Sequence, residues 1–459
     1  MQNFWDFSVW GLFNIFAILL LSLLVANALK KKISFIQKSL IPTSVLAGVI
    51  LLIISTIFFF TTDGQVIYDT EFFGGNGSAV LEIITYHCLA LGFIASSLKT
   101  SNNKFTKKRS AEIFDSGVTT VSTYLLQAVL GFGITLVAVN MVEGLISAAG
   151  VLLPFGYGQG TGQAMNYGNI YEQDWGFVGG KNFGLTIAAL GFLSASIGGV
   201  IHLNVMRRKG KIVFANDKYI PVDKVESENE VEMSGSIDKL TIQVALIAIA
   251  YIIAYGMMCG LGALLPGMKS TIFGFNFLLG VIGALLVKQT LKLLKKGGLV
   301  KKDYTNNFLL TRVSNFCFDL MVVAGVAVIR LDLLKDYWGI LLILGVVGLV
   351  STYVYNLFVA KKLFADYADE QFLAMYGMLT GTASTGAILL REIDGEFKTP
   401  ASDNLIYQTV PAIAFGFPMM LLATLAPAQP MLTFGLLIAF FIVMNVILFR
   451  RQIFKHKNK

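Results

Sequence analysis

Charge is the scarcest ingredient of this sequence. Asp, Glu, Lys and Arg make up 14% of its 459 residues, against 55% hydrophobic. A soluble domain carries roughly 25% charged residues, so a water-soluble fold is excluded and the long uncharged runs read as membrane spans. Cysteine is scarce as well. Cys88, Cys259 and Cys317 form no CxxC and each lies in its own apolar run, so neither a disulfide framework nor a metal site is implied, and each reads as a small core residue. There is no HExxH, no paired-aspartate motif and no Ser/His/Asp set at one depth, which leaves an intramembrane enzyme as a remote alternative. The first apolar run is preceded by Asp6 and by no basic segment, so it reads as a retained span and not a cleaved signal peptide. The net charge of +8 does not argue for nucleic acid; it belongs in loops on one side of a membrane.

A helix crossing a ~30 Å hydrocarbon core needs about 20 apolar residues. On that ruler the chain predicts spans at 7–29, 40–62, 79–98, 116–142 and 182–206. They resume at 240–265, 271–291, 311–331, 337–360 and 404–426, and a last span covers 430–449. With the N-terminus outside, the basic clusters fall inward: Lys30–Lys32 and Lys38, then Lys99, Lys104 and Lys107–Arg109, then Arg207–Lys209 and Lys211. Further inward groups are Lys288–Lys302, then Lys361 and Lys362, and the tail Arg450, Arg451, Lys455, Lys457 and Lys459. The outer connections are acidic, as at Asp63, Asp69 and Glu71. This is the positive-inside pattern of a plasma or inner membrane protein with a cytoplasmic C-terminus.

The pattern holds only if two stretches leave and return on one face. One is VLLPFGYGQGTGQAMNYGNIY, Val151–Tyr171, in which Gly156, Gly158, Gly160 and Gly162 fall within seven residues. Such a stretch opens the backbone, which at membrane depth is tolerable only beside protein or a water-filled cavity. A Gly-rich outer turn is the bland alternative. The other is AMYGMLTGTASTGAILLR, Ala374–Arg391, small and hydroxyl-rich. The expected loops are 147–172, entering from outside, and 370–392, entering from the cytoplasm. The expected fold is an all-α polytopic membrane protein of two inverted-topology repeats, 1–206 and 239–426. Each repeat has five spans and a re-entrant Gly/Ser/Thr-rich loop. A cytoplasmic linker, 207–238, joins them, and 427–459 adds an extra C-terminal helix with a basic tail. Gly48-Val49-Ile50 echoes Gly280-Val281-Ile282, and Gln159–Ala164 echoes Thr382–Ala387.

These residues resemble the bacterial sodium/glutamate symporters. The likeness runs through Ile41–Gly48, Ala90–Ala95, Gly158-Gln-Gly-Thr-Gly-Gln-Ala164 and Phe192–Gly199, and covers most of the chain to about residue 425. Its most specific part is Gly158–Ala164, where the family carries a G-H-G-T-G-type core. Gln159 stands where that core has His, and Phe155-Gly156 where a Gly pair is usual. Thr380–Ser384 stands where the family is richer in Gly, Asp319 lies in a span expected to be uncharged, and the last span is extra. The resemblance implies a secondary transporter and suggests a homodimer.

Freed carbonyls beside hydroxyls suit sodium, and half-helix N-termini suit an anion. The expected substrate- and ion-binding residues are therefore Gly158, Gln159, Gly160, Thr161, Gly162, Gln163 and Asn166 from the first loop, and Thr380, Thr382, Ser384 and Thr385 from the second. Asp319, an intramembrane carboxylate, joins them; the alternative of a structural pair with Arg312 spans about two helical turns, roughly 10 Å. Thr161, Ser384 and Asp319 are the candidate sodium ligands. His87 reads either as a satisfied core histidine or as a cross-repeat partner of Asp319. Asn315 is an intramembrane polar group that could bridge helices. Arg391 is either exposed cytoplasmic charge or a contact for a carboxylate. The functional expectation is sodium-coupled, alternatively proton-coupled, symport of glutamate or a similar small carboxylate, with no cofactor beyond the ion. A related transporter for another small polar solute is the alternative, and two dead-end loops suit occlusion better than a channel.

Overall fold

A computed structural model of the chain describes residues 3–100, 106–210, 237–395 and 398–455. Most of the linker 207–238 lies outside the described residues, as do Lys104, Lys457 and Lys459. The described residues form helices and no strands: α1 (Phe7–Lys32), α2 (Ser34–Lys38), α3 (Thr43–Thr61), α4 (Gly77–Leu98), α5 (Lys107–Ala138), α6 (Leu152–Gln159), α7 (Thr161–Trp175) and α8 (Gly180–Arg208). Beyond the linker come α9 (Lys239–Leu264), α10 (Lys269–Gly274), α11 (Asn276–Lys296), α12 (Asn307–Ala327), α13 (Trp338–Leu363), α14 (Ala368–Thr380), α15 (Ala383–Arg391), α16 (Pro400–Tyr407), α17 (Thr409–Leu425), α18 (Pro430–Leu448) and α19 (Arg450–Lys455).

Ten of these helices are long and apolar enough to cross a membrane, and α16 with α17, bent by 44° at their break, makes an eleventh. The protein is a multi-pass membrane protein. Two spans differ from the sequence ruler. The fourth, expected over 116–142, begins at Lys107 because the Thr106 hydroxyl caps the helix by accepting from the Arg109 amide. Its charged first turns are paired in place, Arg109 with Glu112 and Asp115 with Arg450. The seventh, expected over 271–291, is broken at Phe275 into α10 and α11, and α11 runs on to Lys296. Lys288 ends its aliphatic stem on backbone carbonyls, donating to those of Ser97 and Lys99 at 3.1 and 2.7 Å.

The helices fall into an inner and an outer set. α8 is 67% buried over its apolar window and α18 only 22%, so α18 is a rim helix facing lipid. At the centre α4 lies along α12. α3 packs on α12 while α11 packs on α4, and α1 backs α3 while α9 backs α11. The glycines of the two echoed tripeptides sit at the matching contacts. A β-carbon on Gly48 would come 2.7 Å from Val326 of α12, and one on Gly280 2.8 Å from Ile94 of α4.

Hydrogen bonds tie the Lys-rich helix ends together. Lys108 of α5 pairs with Asp366 beside α14 at 3.3 Å, and Gln452 of α19 donates to the Lys362 carbonyl. The other end is tied by Lys181–Glu82 at 2.9 Å and by the Asn182 side chain accepting from the Arg330 amide. The basic ends of α5, α13 and α19 thus share one end of the bundle.

Candidate functional site

Both Gly-rich stretches are helical hairpins. In the first, α6 stops at Gln159 and α7 starts at Thr161, with Gly160 between them at φ 80° and ψ −172°. That conformation is essentially restricted to glycine. The two arms fold back on each other: the rings of Phe155 and Tyr167 stack 3.9 Å apart, although a continuous helix would hold residues about a dozen positions apart roughly 18 Å from one another. Tyrosines nail the hairpin down. The Tyr157 hydroxyl meets Ser194 of α8 and donates to the Gly345 carbonyl of α13, and Tyr167 and Tyr171 donate to the Met420 and Ala423 carbonyls of α17.

The second hairpin turns at Gly381, between α14 and α15. Its arms touch backbone to backbone. A β-carbon on Gly377 would lie 2.8 Å from the Gly386 Cα, and one on Gly386 would overlap the Ala374 carbonyl oxygen. Thr382 and Thr385 form a reciprocal capping box at the start of α15. No side chain caps the start of α7.

The tips meet. A β-carbon on Gly160 would be 4.0 Å from the Thr382 methyl group. Beside the tips lies a cavity of about 210 Å³ bounded by both hairpins and by α4, α5, α11, α12 and α17. The opened backbone is satisfied largely by α5. Tyr124 donates to the Gly158 carbonyl at 2.9 Å, and Gln127 donates to the Leu379 carbonyl at 3.0 Å. One helix therefore serves the last turn of the first arm in each hairpin.

Of the residues singled out from sequence, Gly158, Gln159, Gln163, Thr382 and Ser384 line this cavity. Gln163 is 1% exposed, and neither of its amide atoms has a hydrogen-bond partner. The others point elsewhere. Thr161 packs against Gly325 and donates to the Met321 carbonyl of α12 at 3.3 Å. Asn166 donates to the Gly274 carbonyl of α10, and Thr380 to the Tyr376 carbonyl of its own helix. Thr385 is spent in the capping box. Gly160 and Gly162 are buried backbone at the tip, Gly162 lying against Leu89 and Met321.

Asp319 is off the cavity. It lies on an exposed face of α12 beside Ser44 of α3, while Arg312 sits over the Phe308 ring. The three candidate sodium ligands, Thr161, Ser384 and Asp319, thus face three different surroundings and form no single site. His87 is neither a core histidine nor a partner of Asp319; it is exposed, with Nδ1 2.7 Å from the Tyr251 hydroxyl. Asn315 and Arg391 are exposed as well.

Sequence reading passed over Gln408, Thr120, Tyr124 and three phenylalanines of the lining, Phe93, Phe277 and Phe318. Gln408 accepts from the Thr120 hydroxyl at 2.6 Å. A signal was present: Ser116, Thr119, Thr120, Ser122, Thr123 and Gln127 give α5 more polar side chains than a plain lipid-spanning helix carries, and all are buried. The thiols of Cys88 in α4 and Cys317 in α12 lie close enough to interact. In comparisons with known proteins, no family model and no curated protein matches this sequence.

The arrangement can hold a small molecule beside two tips whose hairpins are rooted at different ends of the bundle. The first hairpin is rooted near Tyr337 and Leu333, at the Lys-poor end. The second is rooted near Arg109 and Glu112, where Tyr367 donates to the Glu112 carboxylate at 3.0 Å and Asn404 donates to Tyr367. Burial pushes the Tyr367 hydroxyl well above its ordinary range, so it stays a donor in that network. Among the described residues the lining contains no charged side chain.

Proposed function

We propose that the protein is a secondary active transporter that holds its solute in the cavity beside the two hairpin tips and works by alternating access. The observation that carries this reading is the meeting of Gly160 and Thr382, which puts one cavity in contact with two hairpins rooted at opposite ends. Each tip then forms part of a barrier toward one side, the geometry that alternating access uses. Two dead-end hairpins suit occlusion and not a continuous pore.

The matching packing of α3 on α12 and α11 on α4, with Gly48 and Gly280 at equivalent contacts, supports inverted repeats. The hairpins are then re-entrant loops, the Lys-rich end is cytoplasmic, the N-terminus is outside, and α18 stands outside the repeat. The resemblance to sodium/glutamate symporters suggests sodium as the coupling ion, a small carboxylate as the solute and a homodimer as the assembly. The uncharged lining favours a second reading at one point: a solute other than glutamate. Uptake by proteoliposomes tests the proposal. A sodium gradient is expected to drive accumulation of a small carboxylate, and accumulation is expected to stop when the gradient is collapsed. Uptake that ignores sodium would remove the coupling, and no uptake of any small organic acid would remove the transport reading.

A further inference from the structure

Gln163 lines the cavity, and its carboxamide is buried in that wall with both oxygen and nitrogen unpaired. A dry amide without partners costs about 1–3 kcal/mol for each unsatisfied group, so this one is poised to meet a ligand that supplies an acceptor and a donor together. It occupies the first turn of α7, whose start has no side-chain cap. A helix N-terminus of 15 residues favours negative charge with an effective half-charge of about +0.5. An anionic acceptor therefore suits the amide nitrogen, and a neutral hydroxyl on the neighbouring carbon suits the amide oxygen.

The remaining wall decides the rest of the molecule. Phe93, Phe277 and Phe318 all line the cavity, with ring centroids 5.1 Å apart for Phe93–Phe277 and 5.4 Å for Phe93–Phe318. Leu89, Met321 and Met420 extend that apolar surface. Among the described residues the lining has no Lys, Arg or His to neutralise a second carboxylate and no Asp or Glu to accept from an ammonium group. Burying either without a partner is costly. The volume of about 210 Å³ is below the range of drug-sized pockets and holds one small organic molecule.

From these features we infer that the solute is an amphipathic monocarboxylate: one carboxylate with an adjacent hydroxyl, carried on an apolar or aromatic body. Its carboxylate accepts from Gln163 Nε2 at the start of α7, its hydroxyl donates to Gln163 Oε1, and its body lies against the three phenylalanines. This inference rests on the transport reading for its use of the cavity, but binding tests it independently of transport.

The experiment is equilibrium binding to the purified full-length protein in detergent with sodium present, using mandelate, phenylacetate and glutamate as probes. Mandelate is expected to bind about tenfold or more tightly than phenylacetate, because it alone satisfies the amide oxygen, and glutamate is expected not to bind. Gln163→Met, close in volume, is expected to lose mandelate binding by about tenfold or more while unfolding at or above the temperature of the parent. Gln163→Glu, which sets one anion against another, is expected to abolish it. Should Gln163→Met fail to fold, Phe318→Leu tests the other half of the site and is expected to weaken mandelate by several-fold. Glutamate bound more tightly than mandelate, or mandelate binding unchanged in Gln163→Met, would overturn the inference. Mandelate that binds but is not taken up under any ion gradient would leave the inference standing and remove the transport reading. Sodium-driven glutamate uptake without mandelate binding would do the reverse.

Discussion

The Tyr124 hydroxyl donates to the Gly158 carbonyl across 2.9 Å. One turn further along α5, Gln127 does the same for Leu379 of the other hairpin. A carbonyl freed by a helix break inside a protein core costs about 1–3 kcal/mol when its partner is removed. Tyr124→Phe and Gln127→Leu are therefore each expected to lower stability by about that amount. Thermal unfolding in detergent checks this, with Ile442→Val on an exposed face of the rim helix α18 as a control expected to change little. Stability unaffected by either α5 substitution would mean that these carbonyls find other partners.

The second hairpin closes through Gly377 and Gly386. A methyl group on Gly386 has nowhere to go, because the Ala374 carbonyl oxygen occupies its place. Gly386→Ala is expected to separate the arms and abolish transport, with a loss of stability in the ~1–3 kcal/mol range of overpacked cores. Gly256→Ala in α9, where nothing lies within 4 Å of the added carbon, is expected to be silent or slightly stabilising. Uptake and unfolding temperature, measured on both variants, separate the two cases.

Cys88 and Cys317 test the central helix pair. They lie in opposite halves of the chain yet their thiols are close enough to interact. With Cys259 replaced by serine and a protease site placed within residues 211–236, copper-phenanthroline oxidation in membranes is expected to join the two halves. The cut protein should then run as one band without reductant and as two bands with it. Two bands under both conditions would contradict the packing of α4 along α12.

The spans, their number and the two broken stretches were legible because hydropathy and glycine spacing encode them directly. Rotational setting was not. Helices that are apolar all round carry no stripe to say which face turns inward, and so Asp319, singled out because a carboxylate in a span is costly, lies on an exposed face beside Ser44. The same gap misplaced Thr161 and Asn166, whose polar atoms are taken by carbonyls of α12 and α10. Gln163 was found because it follows the break in sequence, and Gln408 was missed because its role depends on Thr120 in another span.

Sided labelling of two single cysteines tests the central claim most directly. In a background lacking the three native cysteines, Gln159→Cys and Ser384→Cys each place a thiol on the cavity wall. Membrane-impermeant maleimide is expected to reach position 159 from the outside and position 384 from the cytoplasm, with both protected when solute and sodium are bound. Labelling of both positions from the same side whatever is bound would contradict a single cavity gated by two opposed hairpins.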